Sequence, residues 1–231
     1  MKANRLVLLA VAGTSMLALT GCTQSGNVAA RVGDTTVSTS EVDFLTRMQC
    51  DALDKAAEDP SQSQGGAQMV PVAQIRTGMV NTLVESELNR QLARQRHLAY
   101  DKTTLRSVMD QFESVVKQAP AKDRDRFRSM VEDVYRGQLQ VYTLAQADLA
   151  QAGVSKPTQD QVDQAVSKIQ ADFRKNVDVK VNPQYGADTD GVAGAVDPSL
   201  SLAVSSDAKQ TRSTRPDPTW IAKLPADQRC G

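Results

Sequence analysis

The scarce reactive side chains of this 231-residue chain are three cysteines and one histidine. Cys22, Cys50 and Cys230 are far apart: none belongs to a Cys-x-x-Cys pair and none has a histidine partner nearby, which speaks against catalytic thiol chemistry. His97 stands alone, which excludes a His-rich zinc site, and no Gly-x-Ser-x-Gly turn supplies a serine for it to activate. Its place behind a long helical pattern suits a helix C-terminus, where an imidazolium meets the negative pole of the dipole. Gly-x-x-x-x-Gly-Lys and Gly-x-Gly-x-x-Gly loops are absent. Asp188-Thr189-Asp190-Gly191 has a fragment of calcium-loop character but lacks the third carboxylate and the closing Glu, so it reads as a turn. Glu85 and Glu87 stand about 200° apart on a helix and do not form an acid–base pair. Lys122, Arg124, Arg126 and Arg128 alternate with Asp123 and Asp125, as on a solvated face rather than a polyanion site. The expectation is no catalytic residue, no metal ligand and no cofactor.

The cysteines have a different assignment. Lys2 and Arg5 precede a mainly apolar run from Leu6 to Leu19. At roughly 14 residues it is short of the about 20 that span a bilayer. Leu19-Thr20-Gly21-Cys22 resembles the bacterial lipoprotein box, which would make Cys22 the first mature residue and its acylated anchor. The alternative is an ordinary secretory signal with an incidental cysteine. On the first reading, residues 1–21 are a signal peptide and 22–27 a membrane-proximal spacer. The rest works outside the cytoplasm, held by lipid on the outer face of the bacterial cell membrane. In that oxidising compartment Cys50 and Cys230 are left as an even pair. A bridge between them closes a loop of about 180 residues, worth about 4–5 kcal/mol in the chain-entropy model. The alternative is two unrelated thiols.

Composition narrows the partners. Lys+Arg and Asp+Glu are 27 each, so no net field recruits nucleic acid. Aromatics are only 4%, which leaves few stacking platforms and speaks against a small-molecule ligand.

Caps and periodicity place the elements. Val28–Val32 reads as a strand, Gly33-Asp34 as a turn and Thr35 to Val37 as the return. Ser38-Thr39-Ser40-Glu41 has capping-box spacing, opening a helix through Val42, Leu45, Met48 and Leu53 toward Ala57. Residues 59–71, rich in Pro, Gly, Ser and Gln, read as a loop. From Val72, the positions Ile75, Met79, Leu83, Leu88 and Leu92 mark an apolar side broadened by Val80 and Val84. Glu85, Glu87, Arg90, Arg94 and Arg96 make the opposite, solvated face. Asp101 caps a third helix, with Leu105, Val108, Met109, Phe112, Val115 and Val116, broken by Pro120. A fourth runs from Lys122 to Gln151; Gly137 inside it costs about 1 kcal/mol against Ala and suits close packing of another backbone. Gly153 stands where a C-terminal glycine belongs. Thr158 and Gln161 form a second capping box ahead of Val162, Val166, Ile169 and Phe173. Val177 to Val181 alternates as a half-buried strand and Asn182-Pro183 stops it. Residues 200–204 suit one more short strand, and the tail beyond Ser205 has Trp220 as its large anchor, held to the body by an oxidised Cys230.

The order of these elements resembles a known family. The stretch Val28-Ala29-Ala30-Arg31-Val32-Gly33-Asp34-Thr35-Thr36-Val37, leading into the helix capped at Ser38 and Glu41, resembles the opening of SurA N-terminal domains. Val177-Asp178-Val179-Lys180-Val181-Asn182-Pro183-Gln184-Tyr185-Gly186 resembles their closing strand and Asn-Pro-x-Tyr-Gly turn, as in actinobacterial lipoprotein members. The resemblance implies a helical chaperone domain over 28–205, trigger-factor-like in architecture, followed by a tail over 206–231. Many relatives carry a parvulin prolyl isomerase domain. The 46 residues after Tyr185 are too few for one, and a single histidine does not match its paired histidines.

The resulting expectation is a mainly α fold: about five helices clasped by a small β-sheet built from both ends of the domain. Unfolded polypeptide clients would bind an apolar groove between helices bordered by Met79, Leu83, Met109, Phe112, Phe127 and Met130. Flexible thioethers suit such a surface, and equally suit a core. The rival readings are a scaffold for one folded envelope partner and, without the usual domain, a prolyl isomerase.

Overall fold

The computed structural model describes residues 26–58, 69–185, 205–207, 210, 213 and 215–231. The signal segment, Cys22, the Asp188–Gly191 turn, the strand expected at 200–204 and most of the 59–71 loop lie outside the described residues.

In chain order the elements are β1 (Val28–Val32), β2 (Thr35–Ser38), α1 (Thr39–Glu58), β3 (Val70–Pro71), α2 (Val72–Arg96) and α3 (Lys102–Gln118). They continue with α4 (Arg124–Gln151), α5 (Gln159–Arg174), β4 (Val179–Val181), a helical turn at Pro218–Ile221 and β5 (Arg229–Cys230). The expected fold is present: five long helices, with a sheet in the order β2-β1-β4 that joins the two ends of the domain. Both pairings are antiparallel, with Ala30 opposite Val37 on one side and Val181 on the other. Gly33 turns the chain between β1 and β2 at φ +57°, a region that costs other residues strain. Its amide donates to the Asp178 carbonyl at 2.8 Å.

Local chemistry sets the helix starts. At α1 the Glu41 amide donates to Ser38 Oγ (3.2 Å) and the Ser38 amide donates to the Glu41 carboxylate (2.8 Å). Asp101 accepts from the amides of Thr103 and Thr104, and Thr158 with Gln161 forms the second box. The fourth helix begins at Arg124 rather than Lys122, because Ala121–Asp123 forms a 3-10 turn in which the Asp123 amide donates to the Pro120 carbonyl. Strand β4 likewise starts at Val179, two residues later than its alternation suggested.

Helix α4 packs on α2, α3 and α5, while α2 also meets α1, α5 and the sheet. The main core lies between the sheet and α2: Ala29, Ala30, Val32, Val37 and Val181 meet Val80, Val84 and Leu88. A second, smaller cluster gathers Phe44, Leu45 and Met48 of α1 with Ala119.

The tail carries the expected bridge and departs from expectation in two other respects. Cys50 and Cys230 form a disulfide, with Cα atoms 5.0 Å apart. Strand β5 beside it pairs antiparallel with β3, so the end of the expected loop, Val70–Pro71, is strand. The chain needs two residues there whose main chain can meet the returning C-terminal segment. The buried anchor is Ile221, 5% exposed, rather than Trp220, which is half-buried and donates through Nε1 to Asp207 at 2.9 Å. An indole keeps its polar edge toward a partner or water, whereas an isoleucine has nothing to leave outside.

Candidate functional site

A cleft of about 910 Å³ lies between α2, α4 and α5. Its apolar lining comes from Leu92 of α2, Leu144 and Leu149 of α4, and Ile169 and Phe173 of α5, with Val177 at one end. The one-sided period of α5 explains this. Of its apolar positions only Val162 is buried, which leaves Ile169 and Phe173 half-buried along the opening.

The rim is polar and its charges balance: Arg96 and Lys168 against Asp148 and Asp172. Gln95 and Gln164 also line it, and neither carboxamide makes a hydrogen bond among the described residues. Each carboxamide offers both donor and acceptor. Gln91 is committed: its Nε2 donates to the Val32 carbonyl (2.9 Å) and to Glu87 Oε1 (2.8 Å), tying the cleft wall to the end of β1.

Glu87 lies behind this wall and is 6% exposed, which corrects its placement on a solvated face. Burial pushes its carboxyl up, but hydrogen bonds from Gln91, Arg90 and Thr35, with the charge of Arg90, outweigh that and hold it below the usual carboxylate range. Arg90 binds it through Nε at 2.7 Å and through Nη2, and Arg94 stands 3.6 Å away. Asn89 is also buried and accepts from Gln170 of α5 at 3.0 Å. Helix α2 is covered on several sides, so its polar residues are used inside.

The side chains expected to border a groove are divided. Met79, Leu83, Phe127 and Met130 come together, half-buried, against Phe44, Leu45, Met48 and Ala119. The guanidinium of Arg126 stands 4.1 Å from the centre of the Phe44 ring, with Arg47 at 5.4 Å, so charge caps this cluster. Phe112 lies apart from them, against Tyr135 in the seam of α3 and α4, ring centres 5.0 Å apart. Met109 stands half-buried one turn earlier on α3. The cleft is lined by other residues than the six expected to border a groove. Gln91 and Gln95 four apart, and Gln161 and Gln164 three apart, each flanking an apolar stripe, were the available signal.

Among the described residues, no group of three or more His, Cys, Asp or Glu side chains is arranged to hold a metal ion, and no helix is long and apolar enough to cross a membrane. His97 closes α2 in the left-handed conformation (φ 52°, ψ 42°), its amide directed at the Ala93 and Arg94 carbonyls.

The family described as SurA-like N-terminal domain matches residues 2–135, more than half of the chain, and the chain belongs to it. None of the curated proteins and none of the solved structures matches. The matched stretch ends within α4, so α5 and β4, which complete the cleft and the sheet, lie beyond it. Membership suggests a chaperone-like role associated with protein folding.

Proposed function

We propose that this chain is a lipid-anchored, extracytoplasmic chaperone-like protein that holds unfolded secreted or envelope polypeptides in the cleft between α2, α4 and α5. The observation that carries the reading is the cleft itself: an apolar floor from three helices, open to solvent, under a rim whose charges cancel. Such a seat buries client side chains at about 25 cal/mol per Å² and selects for no net charge. The carboxamides of Gln95 and Gln164 can meet the main-chain N–H and C=O groups that every extended segment carries. No bond is made or broken.

Gly26 accepts from the Thr39 hydroxyl at 3.2 Å, at the start of α1. A lipid on Cys22 would therefore keep that corner within about 14 Å of the bilayer, the reach of four extended residues.

The test is whether the chain from Thr23 onward suppresses aggregation of a chemically unfolded, unrelated protein at near-equal molar ratio. Suppression supports promiscuous holding. No suppression, with capture of one folded envelope partner, replaces it by the scaffold reading. A proline-peptide isomerisation assay at background rate dismisses the enzyme. Cys22→Ala is expected to leave the membrane fraction, and a variant that stayed there would overturn the anchor.

A further inference from the structure

We propose that the C-terminal segment from Asp217 to Gly231 is a strap over the joint of α1 and α2, and that a dithiol reductant acting at Cys50 releases it. Apolar residues are buried where the strap lies: Pro71 and Ile75 at the head of α2, and Ile221 and Cys230 of the strap. The turn Ala226–Gln228 lies against α2, and β5 against α1 and β3. Apart from the disulfide and this apolar burial, few polar contacts hold it. The β3–β5 ladder is two residues long. The Gly231 amide donates to Asp54 (2.6 Å), and Arg229 reaches Met69 Sδ (3.1 Å). The covalent link, joining residues 180 positions apart, is the dominant tie.

The two sulfur-bearing residues are not equally accessible. Cys230 is 2% exposed, whereas Cys50 is half-buried on α1. An incoming thiolate therefore attacks Cys50 Sγ, forming a mixed disulfide as Cys230 leaves as thiolate. The second thiol of the reductant then attacks its own sulfur in that mixed disulfide, releasing the Cys50 thiolate. Two electrons pass to the bridge, the reductant departs as its disulfide, and protonation leaves two cysteine thiols. Freed, the strap uncovers Pro71 and Ile75 as apolar surface additional to the cleft.

The experiment is hydrogen exchange on the full chain, bridged and after dithiothreitol, with free thiols counted by alkylation and intact mass. Protection across 217–231 and 70–77 is expected to fall tenfold or more, while Val28–Val32 and the Val141–Ala145 turn of α4 stay as they were. Cys230→Ser should show the same local loss without reductant. A smaller change in the strap after complete reduction overturns the proposal. So does equal loss throughout, a bridge that yields only when the domain unfolds, or a Cys50→Ser/Cys230→Ser chain that does not fold. Exchange is read without any client, so its outcome stands apart from whether the chain holds unfolded protein. If it does, the reduced form should suppress aggregation at a lower ratio.

Discussion

Gly137 of α4 faces Asn89 of α2 so closely that a Cβ at 137 would lie 3.2 Å from the Asn89 Cβ, with the Ser86 carbonyl at 3.8 Å. This contact sets the spacing of the two helices that wall the cleft, and the Asn89–Gln170 hydrogen bond extends it to α5. Gly137→Ala gains about 1 kcal/mol of helix propensity, yet it must push apart two backbones rather than a flexible side-chain end, at about 1–3 kcal/mol. A net loss of about 1 kcal/mol is expected, and more for Gly137→Val. Urea denaturation checks it; a Gly137→Ala chain more stable than the parent would show that the helices separate freely.

Glu87 gives a pH signature. A carboxyl held below its ordinary value in the folded state contributes stability above the unfolded pKa of about 4.3, and loses it as pH falls through the folded value. Glu87→Gln should therefore cost about 1 kcal/mol at pH 7, within the range for charge-assisted hydrogen bonds to half-exposed arginines. Near pH 3 the two proteins should differ much less. Denaturation series at the two pH values measure this, and parallel pH profiles would remove Glu87 from the account.

Cleft and second cluster are separable by substitution. Ile169→Glu places a charge on the half-buried lining of α5. It should at least halve aggregation suppression while moving stability by under about 1 kcal/mol, as partly exposed sites do. Phe127→Ala empties part of the packing against the cluster of Phe44, Leu45, Met48 and Ala119. It should cost about 2–3 kcal/mol, below the 3–5 of a fully buried Phe because Phe127 is only partly buried. Suppression by the molecules still folded should be unchanged. The reverse pattern would put the client on the Met79–Phe127 side.

What could be read from the sequence was local. The caps at Ser38, Asp101 and Thr158 act over three residues, and each stands where its spacing placed it. Helices α1, α3 and α5 present one apolar stripe, so periodicity located them well. Helix α2 was misjudged because it is surrounded: with β1, α1, α4 and α5 on different sides, Glu87 and Asn89 are buried among polar partners that no single stripe reveals. The groove reading failed to separate Met79 from Phe112 for a related reason. Periodicity tells which side of a helix is apolar, but the placing of Met79 against the Phe44–Met48 cluster and of Phe112 against Tyr135 depends on helix order in space. The cysteine pair was legible by counting, whereas the two-residue ladder beside it carries no pattern of its own.

His97 offers a gain in stability. It is exposed and holds φ 52°, where the Cβ of an L-residue crowds its own backbone at a cost of about 1–2 kcal/mol. Its amide still donates toward the Ala93 and Arg94 carbonyls, so the conformation itself is required to end α2 before Leu98. Glycine adopts it without that cost but has more unfolded-state entropy to lose. The balance for His97→Gly is a stabilisation of about 0.5–1 kcal/mol, whereas His97→Val should destabilise by a similar amount or more. Paired urea midpoints decide it. If glycine gave no gain, the extra unfolded-state entropy that glycine loses on folding would have to match the backbone cost.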